Sequence, residues 1–181
     1  MEKNIDAQFL AILESKIRTV PDFPKKGIMF KDITPMMANP ETLHLTSRLL
    51  VKPFADKKID IVVGIESRGF LFGPGMAMNL FAGFVPIRKP NKLPADTIKE
   101  SYELEYGTDT LEIHKDAIFE GANVIIHDDL IATGGSAKAA TSLVKKLGGN
   151  VVGYSFLIEL AFLEGKKALE PNAECHSLIV L

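Results

Sequence analysis

The sequence predicts an α/β fold in which a mostly parallel β-sheet is flanked by helices. Short apolar runs rich in β-branched residues recur at 59–69, 83–89, 123–129 and 151–160, each of a length and composition that suits a buried strand. Helical patterns, "GPGMAMNLF" and "SAKAATSLVKKLGG", lie between them, and the second closes on lysines and glycines, as a helix C-terminus does. A chain of 181 residues, 46% hydrophobic, can bury a substantial core, and with no repeat or linker in view the expectation is a single domain, 1–181.

Taken in order, Phe9, Leu13 and Ile17 recur at helical spacing and predict an opening amphipathic helix with Asn4 or Asp6 as its cap. In "PDFPKKGIMFKDITP" the prolines and Gly27 preclude a long regular element and predict an extended loop. "ANPETLHLTSRLL" starts a second helix, with Asn39 as N-cap and Pro40 at the first helical position, where a missing N–H matters least. The strands and helices already named follow. "ESYELEYGTDTLEIHK" interrupts them with two alternating segments joined at "GTD", which predicts a hairpin projecting from the core.

Bulk properties exclude several classes. A formal net charge of -2 lacks the basic excess that drives binding to a phosphate backbone, so nucleic acid is not an expected partner. No apolar run is long enough to span a bilayer, and the N-terminus lacks a secretory pattern, so the expected location is cytoplasmic. The lone Cys175 has no internal disulfide partner and is expected to pack as a small apolar residue.

The chemistry concentrates in "VIIHDDLIATGGSA", 124–137. Ligands of open parallel sheets collect beyond the carboxyl ends of strands, and this strand delivers Asp128 and Asp129 there, followed by a glycine turn and a helix. Gly134 and Gly135 let the backbone turn tightly and present N–H groups, the helix N-terminus favours an anion, and Thr133 and Ser136 add hydroxyls. The carboxylates can accept hydrogen bonds from vicinal hydroxyls, directly or through water on a metal ion. A ribose 5-phosphate offers both chemistries. No "GxxxxGK[ST]" or "GxGxxG" occurs, so an ordinary ATPase or dinucleotide dehydrogenase finds no support. His127 is expected to be a packing or pocket-edge residue, because strand alternation points it away from Asp128.

"VIIHDDLIATGGSA" resembles the phosphoribosyl pyrophosphate signature of the type I phosphoribosyltransferases. "PDFPKKGIMFKDITP", "IESRGFLFGP", "IRKPNKLP" and "ESYELEYGTDTLEIHKDAI" resemble, in the same order, the adenine phosphoribosyltransferase branch of that family. His127 and Ser136 depart from the usual apolar residue and threonine without removing a required group.

The resemblance implies the type I phosphoribosyltransferase fold with a flexible hood hairpin. The implied reaction transfers ribose 5-phosphate from phosphoribosyl pyrophosphate to adenine, giving AMP and pyrophosphate with Mg²⁺, in a homodimer. It places Ala132, Thr133, Gly134, Gly135 and Ser136 on the 5-phosphate, Asp128 and Asp129 on the ribose hydroxyls, and Ser67 and Arg68 beside the leaving group. Arg88, Lys89 and Lys92 become further anionic contacts, and Arg68 and Glu105 the catalytic residues, with Tyr106 beside Glu105. The metal rides on pyrophosphate and ribose oxygens, with water between it and Asp128 and Asp129 rather than a direct protein ligand. The backbone at Met29, Phe30 and Lys31 reads adenine, and Phe30 packs on the purine. On the residues alone, Phe30 also suits an ordinary core, Glu66 and Arg68 a surface ion pair, and Glu105 an exposed hairpin acid. A regulator that binds phosphoribosyl pyrophosphate without transfer, or a transferase for hypoxanthine or guanine, shares the same phosphate signature.

Overall fold

The computed structural model describes residues 2–103 and 107–181, with side chains from residue 8 onward. By its internal contacts the chain divides into two compact units, Met1–Leu49 and Leu50–Leu181.

The first unit opens on α1 (Glu2–Ser15). The stretch holds neither glycine nor proline, so nothing in it breaks a helix, and α1 starts before both expected caps, leaving Asn4 and Asp6 within it, and ends before Ile17. The expected loop is a hairpin instead. Strands β1 (Arg18–Pro21) and β2 (Met29–Asp32) pair antiparallel from Arg18↔Asp32 to Pro21↔Met29. Each strand is only four residues long, too short for alternation to reveal it. The loop between them is closed by Gly27 N–H donating to Asp22 Oδ1 at 2.6 Å, with Asp22 and Gly27 both at positive φ. A short α2 (Thr34–Met37) precedes α3 (Pro40–Leu49), which starts as expected: Thr42 N–H donates to Asn39 Oδ1 at 3.0 Å.

The second unit is built on a parallel five-stranded sheet in the order β4-β3-β7-β8-β9. Its strands are β3 (Ile61–Ile65), β4 (Gly83–Ile87), β7 (Asn123–Ile131), β8 (Asn150–Glu159) and β9 (Glu174–Val180). The four strands and two helices expected here are present. β9 was not foreseen, because "ECHSLIV" mixes polar residues into an edge strand. Every residue of β3 is buried, as a central parallel strand requires. After β3 the chain adds β4 on one side, and β7 returns on the other, so the strand order reverses between β3 and β7. Open sheets place their ligand crevice at that switch, beyond the strands' carboxyl ends.

Helices α4 (Gly73–Leu80) and α5 (Gly135–Lys146) cover the sheet. α4 sits close because Gly64 and Gly73 both make room for the Phe84 ring, which a Cβ would approach to 2.7 Å and 2.3 Å. The hairpin of β5 (Thr97–Glu103) and β6 (Thr108–His114) forms as expected, yet it does not simply project. Leu111 and Ile113 are fully buried in the core with Ile87, Ile126 and Leu143, and β5 lies against α5. Its base is joined to the chain after β4 by paired backbone hydrogen bonds between Arg88 and Glu112, 2.9 Å and 2.7 Å.

His127, in the middle of the sheet, is fully buried. Its Nδ1 lies 2.8 Å from Ser155 O, so the proton sits on Nδ1 and is donated to the carbonyl, and the ring meets Phe72 edge-on. Burial pushes its pKa down to about 4 against an ordinary 6.5. Between those values the unfolded chain binds a proton that the fold excludes. Stability from this group is therefore complete above about pH 6.5 and lost as pH falls toward 4, by about 3 kcal/mol in all. Denaturant unfolding at about pH 7 and about pH 5 isolates this contribution as a difference: over that step His127→Gln, which cannot titrate, should lose less stability than the wild-type protein.

Candidate active site

Two loops meet at the switch point. The loop after β3 carries Glu66 and Ser67 and then a 3₁₀ turn, Arg68–Phe70. Gly69 in that turn lies directly on β7: a Cβ there would come within 2.7 Å of His127 O and 3.4 Å of Asp128 Oδ1. This approach brings Arg68 Nη1 to 3.1 Å from Asp129 Oδ2. Asp129 is only 2% exposed, whereas Asp128 is half-buried and accepts from Asp129 N–H at 2.9 Å. Burial and then the neighbouring Asp129 charge hold the Asp128 carboxyl well above its ordinary range. Burial also raises Asp129, with the Arg68 guanidinium opposing it. The pair thus has one acid matched to a guanidinium and one, half-buried beneath Gly69, whose charge is opposed by burial and by its neighbour.

The loop after β7 turns at Gly134, with φ of 81°, into α5. A Cβ on Gly134 would reach 2.4 Å from Gly165 O, and one on Gly135 would stand 3.2 Å from the Tyr102 ring. Gly134 is thus required both by close approach to backbone and by its positive φ, whereas a side chain at Gly135 would press on the Tyr102 ring. No side chain caps α5, so the N–H groups of its first turn are oriented outward with the dipole's positive end behind them, a cradle for an anion. Ala132, Thr133 and Ser136 border it, as expected from the sequence. A cavity of about 690 Å³ opens on the hairpin side of this loop, lined by Tyr102, Glu103, Thr133, Gly135 and Lys138. The acid pair is not part of its lining.

The basic residues after β4 are engaged. Arg88 grips Glu66 through Nε at 3.1 Å and Nη2 at 3.3 Å, and its Nη1 donates to Lys92 O at 3.1 Å. Lys89 N–H donates to Glu66 at 2.8 Å. Burial works against the Glu66 charge, but these hydrogen bonds outweigh it and leave the carboxyl below its ordinary range. The Lys89 ammonium is paired with Asp109, which more than offsets its burial and raises its pKa. Glu66, Gly69, Tyr102 and Asp109 were not singled out as site residues. The hairpin signal held a clue for the last two: antiparallel pairing across "GTD" sets Tyr102 opposite Asp109.

In the first unit, Met29 is 58% exposed and Phe30 is half-buried, its ring 5.0 Å from that of Phe23 and edge-on to it. Phe30 is therefore not ordinary core. Lys31 Nζ donates to Thr19 Oγ1 at 3.1 Å. Glu105 and Tyr106 lie outside the described residues.

The chain matches the family model for the phosphoribosyl transferase domain over residues 36–178. It is 54% identical to the adenine phosphoribosyltransferase of Sorangium cellulosum over 164 residues, 91% of this chain and 82% of that one. A crystal structure of adenine phosphoribosyltransferase from Rhodothermus marinus, 55% identical, superposes with a TM-score of 0.93 over 97% of this chain and 99% of that one. The enzyme from Saccharomyces cerevisiae, complexed with a dideoxyimino-altritol bisphosphate and adenine, is 47% identical, with a TM-score of 0.88 over 95% and 99% of the two chains. The chain belongs to the phosphoribosyltransferase family, among the adenine phosphoribosyltransferases.

Proposed function

We infer that the chain is an adenine phosphoribosyltransferase, transferring ribose 5-phosphate from phosphoribosyl pyrophosphate to adenine with release of AMP and pyrophosphate. The observation that carries this reading is the strand–turn–helix of β7 and α5, where the strand that carries Asp128 and Asp129 leads through a glycine turn to an uncapped helix N-terminus. The amides of Thr133, Gly134, Gly135 and Ser136 bind the 5-phosphate, and Asp128 accepts from a ribose hydroxyl. Asp129 holds Arg68, which with Ser67 is assigned to the leaving diphosphate. Lys92 adds a cation there, while Arg88 and Lys89 reach it by sharing or leaving Glu66 and Asp109.

The C1′–O bond to diphosphate breaks as the bond from C1′ to the purine nitrogen forms, and that nitrogen's proton leaves to a base, the role given to Glu105. Positive charge grows on the ribose ring and negative charge on the diphosphate, so the protein contributes chiefly placement and electrostatics. Among the described residues no three acids, histidines or cysteines cluster to hold a metal, and the half-buried Asp128 suits a metal's water shell better than direct ligation. Mg²⁺ bound there through substrate oxygens would neutralise the departing diphosphate. The reading includes one functional domain over 1–181, a homodimer and a cytoplasmic location; no helix among the described residues is long and apolar enough to cross a membrane.

Adenine offers a 6-amino donor and an N1 acceptor, which a backbone C=O and N–H at 29–31 complement. Hypoxanthine reverses both, and each unpaired buried group costs on the order of 1–3 kcal/mol, so adenine should be favoured about a hundredfold or more in kcat/KM. Lys31→Ala should keep this preference, since its ammonium is directed to Thr19. Initial rates with adenine, hypoxanthine and guanine test the reading, and comparable efficiency for adenine and hypoxanthine would overturn the adenine assignment.

A second expectation concerns the acid pair. Because the Asp128 carboxyl is held high by burial and by Asp129, its ionisation opposes folding as pH rises. Asp128→Asn should therefore raise the unfolding midpoint at neutral pH while lowering kcat/KM for phosphoribosyl pyrophosphate about 10- to 100-fold. A variant of lower stability and unchanged turnover would contradict both halves.

A further inference from the structure

The connection between β8 and β9 is pressed against the phosphate loop, backbone on backbone. A Cβ on Gly165 would meet the Ala132 carbonyl oxygen at 2.2 Å and Ile131 Cγ1 at 2.9 Å. The contact is reciprocal: a Cβ on Gly134 would reach 2.4 Å from Gly165 O and 3.0 Å from Ala168 Cβ. Gly134 needs glycine for its backbone as well, whereas the φ of Gly165 lies outside the left-handed region, so space alone demands glycine there. The peptide between Ala132 and Thr133 is trans, and in a trans peptide the C=O and the following N–H point in opposite directions. With the Ala132 oxygen lying against Gly165, the Thr133 N–H is turned to the other side, away from the connection.

The connection is fixed at both ends. Leu160 N–H donates to Ile131 O at 3.0 Å, which leads the chain out of β8 alongside the end of β7. Lys166 Nζ, one residue past Gly165, is ion-paired at 2.6 Å with Glu159, which is partnered with Ile131 in the sheet and only 12% exposed. Between these, Glu164 at φ of 52° joins two 3₁₀ turns, Ala161–Leu163 and Gly165–Ala168. At the far end, Glu170 N–H donates to Tyr154 Oη at 3.3 Å. The Thr141 hydroxyl donates to Ala137 O at 2.8 Å, so it accepts from the Tyr154 hydroxyl, 2.7 Å away. Ties to β7 on one side and to α5 on the other hold Gly165 against the turn that joins those two elements.

We propose that Gly165 is a positioning residue for phosphate binding: its bare Cα sets the plane of the 132–133 peptide, and the Glu159–Lys166 pair keeps it in place. The proposal rests on the assignment of this loop to the 5-phosphate and names the surface that shapes it. A methyl group at Gly165 has to push the Ala132 carbonyl aside, which rotates the peptide and takes the Thr133 N–H with it. Adenine, assigned to the backbone at 29–31, is not read by this peptide.

The test uses the full-length protein with Gly165→Ala, Lys166→Met, Glu159→Gln and Lys166→Arg. Lys167→Met, which removes the exposed pair with Glu164, serves as the control. Binding of ribose 5-phosphate is measured by calorimetry, KM for phosphoribosyl pyrophosphate and for adenine by initial rates, and the unfolding midpoint for each variant. Gly165→Ala should weaken ribose 5-phosphate binding and raise KM for phosphoribosyl pyrophosphate about 10- to 100-fold, with KM for adenine held within about twofold. Lys166→Met and Glu159→Gln crowd nothing and should each raise the same KM about threefold; Lys166→Arg should restore it, and Lys167→Met should leave it unchanged. These variants keep the proposal testable should Gly165→Ala fail to fold. A lower unfolding midpoint with ribose 5-phosphate affinity unchanged would make Gly165 ordinary packing and overturn the proposal, as would an equal rise in both KM values. Binding of ribose 5-phosphate needs no turnover, so the two readings fail separately. A wild-type protein that binds it but transfers nothing sinks the transferase reading, and one that transfers while Gly165→Ala binds normally sinks only this proposal.

Discussion

The close approach of the β3 loop to the end of β7 is the constraint on which the site depends. Gly69 sits where a single methyl group would strike the His127 carbonyl, and in the same turn Arg68 comes within ion-pair distance of Asp129. The parallel sheet makes the contact possible by reversing its strand order between β3 and β7: β3 ends at Ile65, one residue after Gly64 pairs with His127, so the loop that follows turns over the part of β7 that carries Asp128 and Asp129. Buried β3 and β7 hold that arrangement rigidly. What looks like a local turn is fixed by the order of five strands.

The electrostatics follow from that geometry. Two adjacent carboxylates at the edge of a core oppose one another's ionisation, and the site resolves the conflict by giving Asp129 a guanidinium while burial and the Asp129 charge hold the Asp128 carboxyl high. The buried His127 next to them stays neutral, directed at a backbone carbonyl, so it adds packing without adding charge. A second charge group, Glu66 with Arg88 and the Lys89 backbone, fixes the chain leaving β4, and from there the contacts lead to the hairpin and back to the phosphate loop. Charge near the site is largely paired, which suits a reaction that must stabilise a departing anion by small exchanges of partner rather than by large rearrangements.

Much of this was legible in the sequence, for identifiable reasons. The buried strands announced themselves as apolar runs, Asn39 and Pro40 marked a helix start that the structure keeps, and the acid pair and glycine turn were recognisable from residue type alone. Features set by short or mixed segments were not: β1 and β2 are below the length at which alternation shows, and β9 mixes polar residues into its run. Partner choice was likewise hidden. That Asp129 takes Arg68, or that Asp109 takes Lys89, depends on loops brought together from distant parts of the chain, which no local pattern encodes. Tyr102 read as one residue of an alternating hairpin, and its place against Gly135 emerges only once α5 and β5 are packed.

The most direct measurement is phosphorus NMR of the wild-type protein mixed with phosphoribosyl pyrophosphate, adenine and Mg²⁺. The expected result is AMP and pyrophosphate appearing in equal amounts, with no pyrophosphate released when adenine is left out, because transfer requires the purine and the site excludes water. Pyrophosphate released at the same rate with or without adenine, or no reaction from a folded protein, would contradict the assignment of this switch-point site to phosphoribosyl transfer.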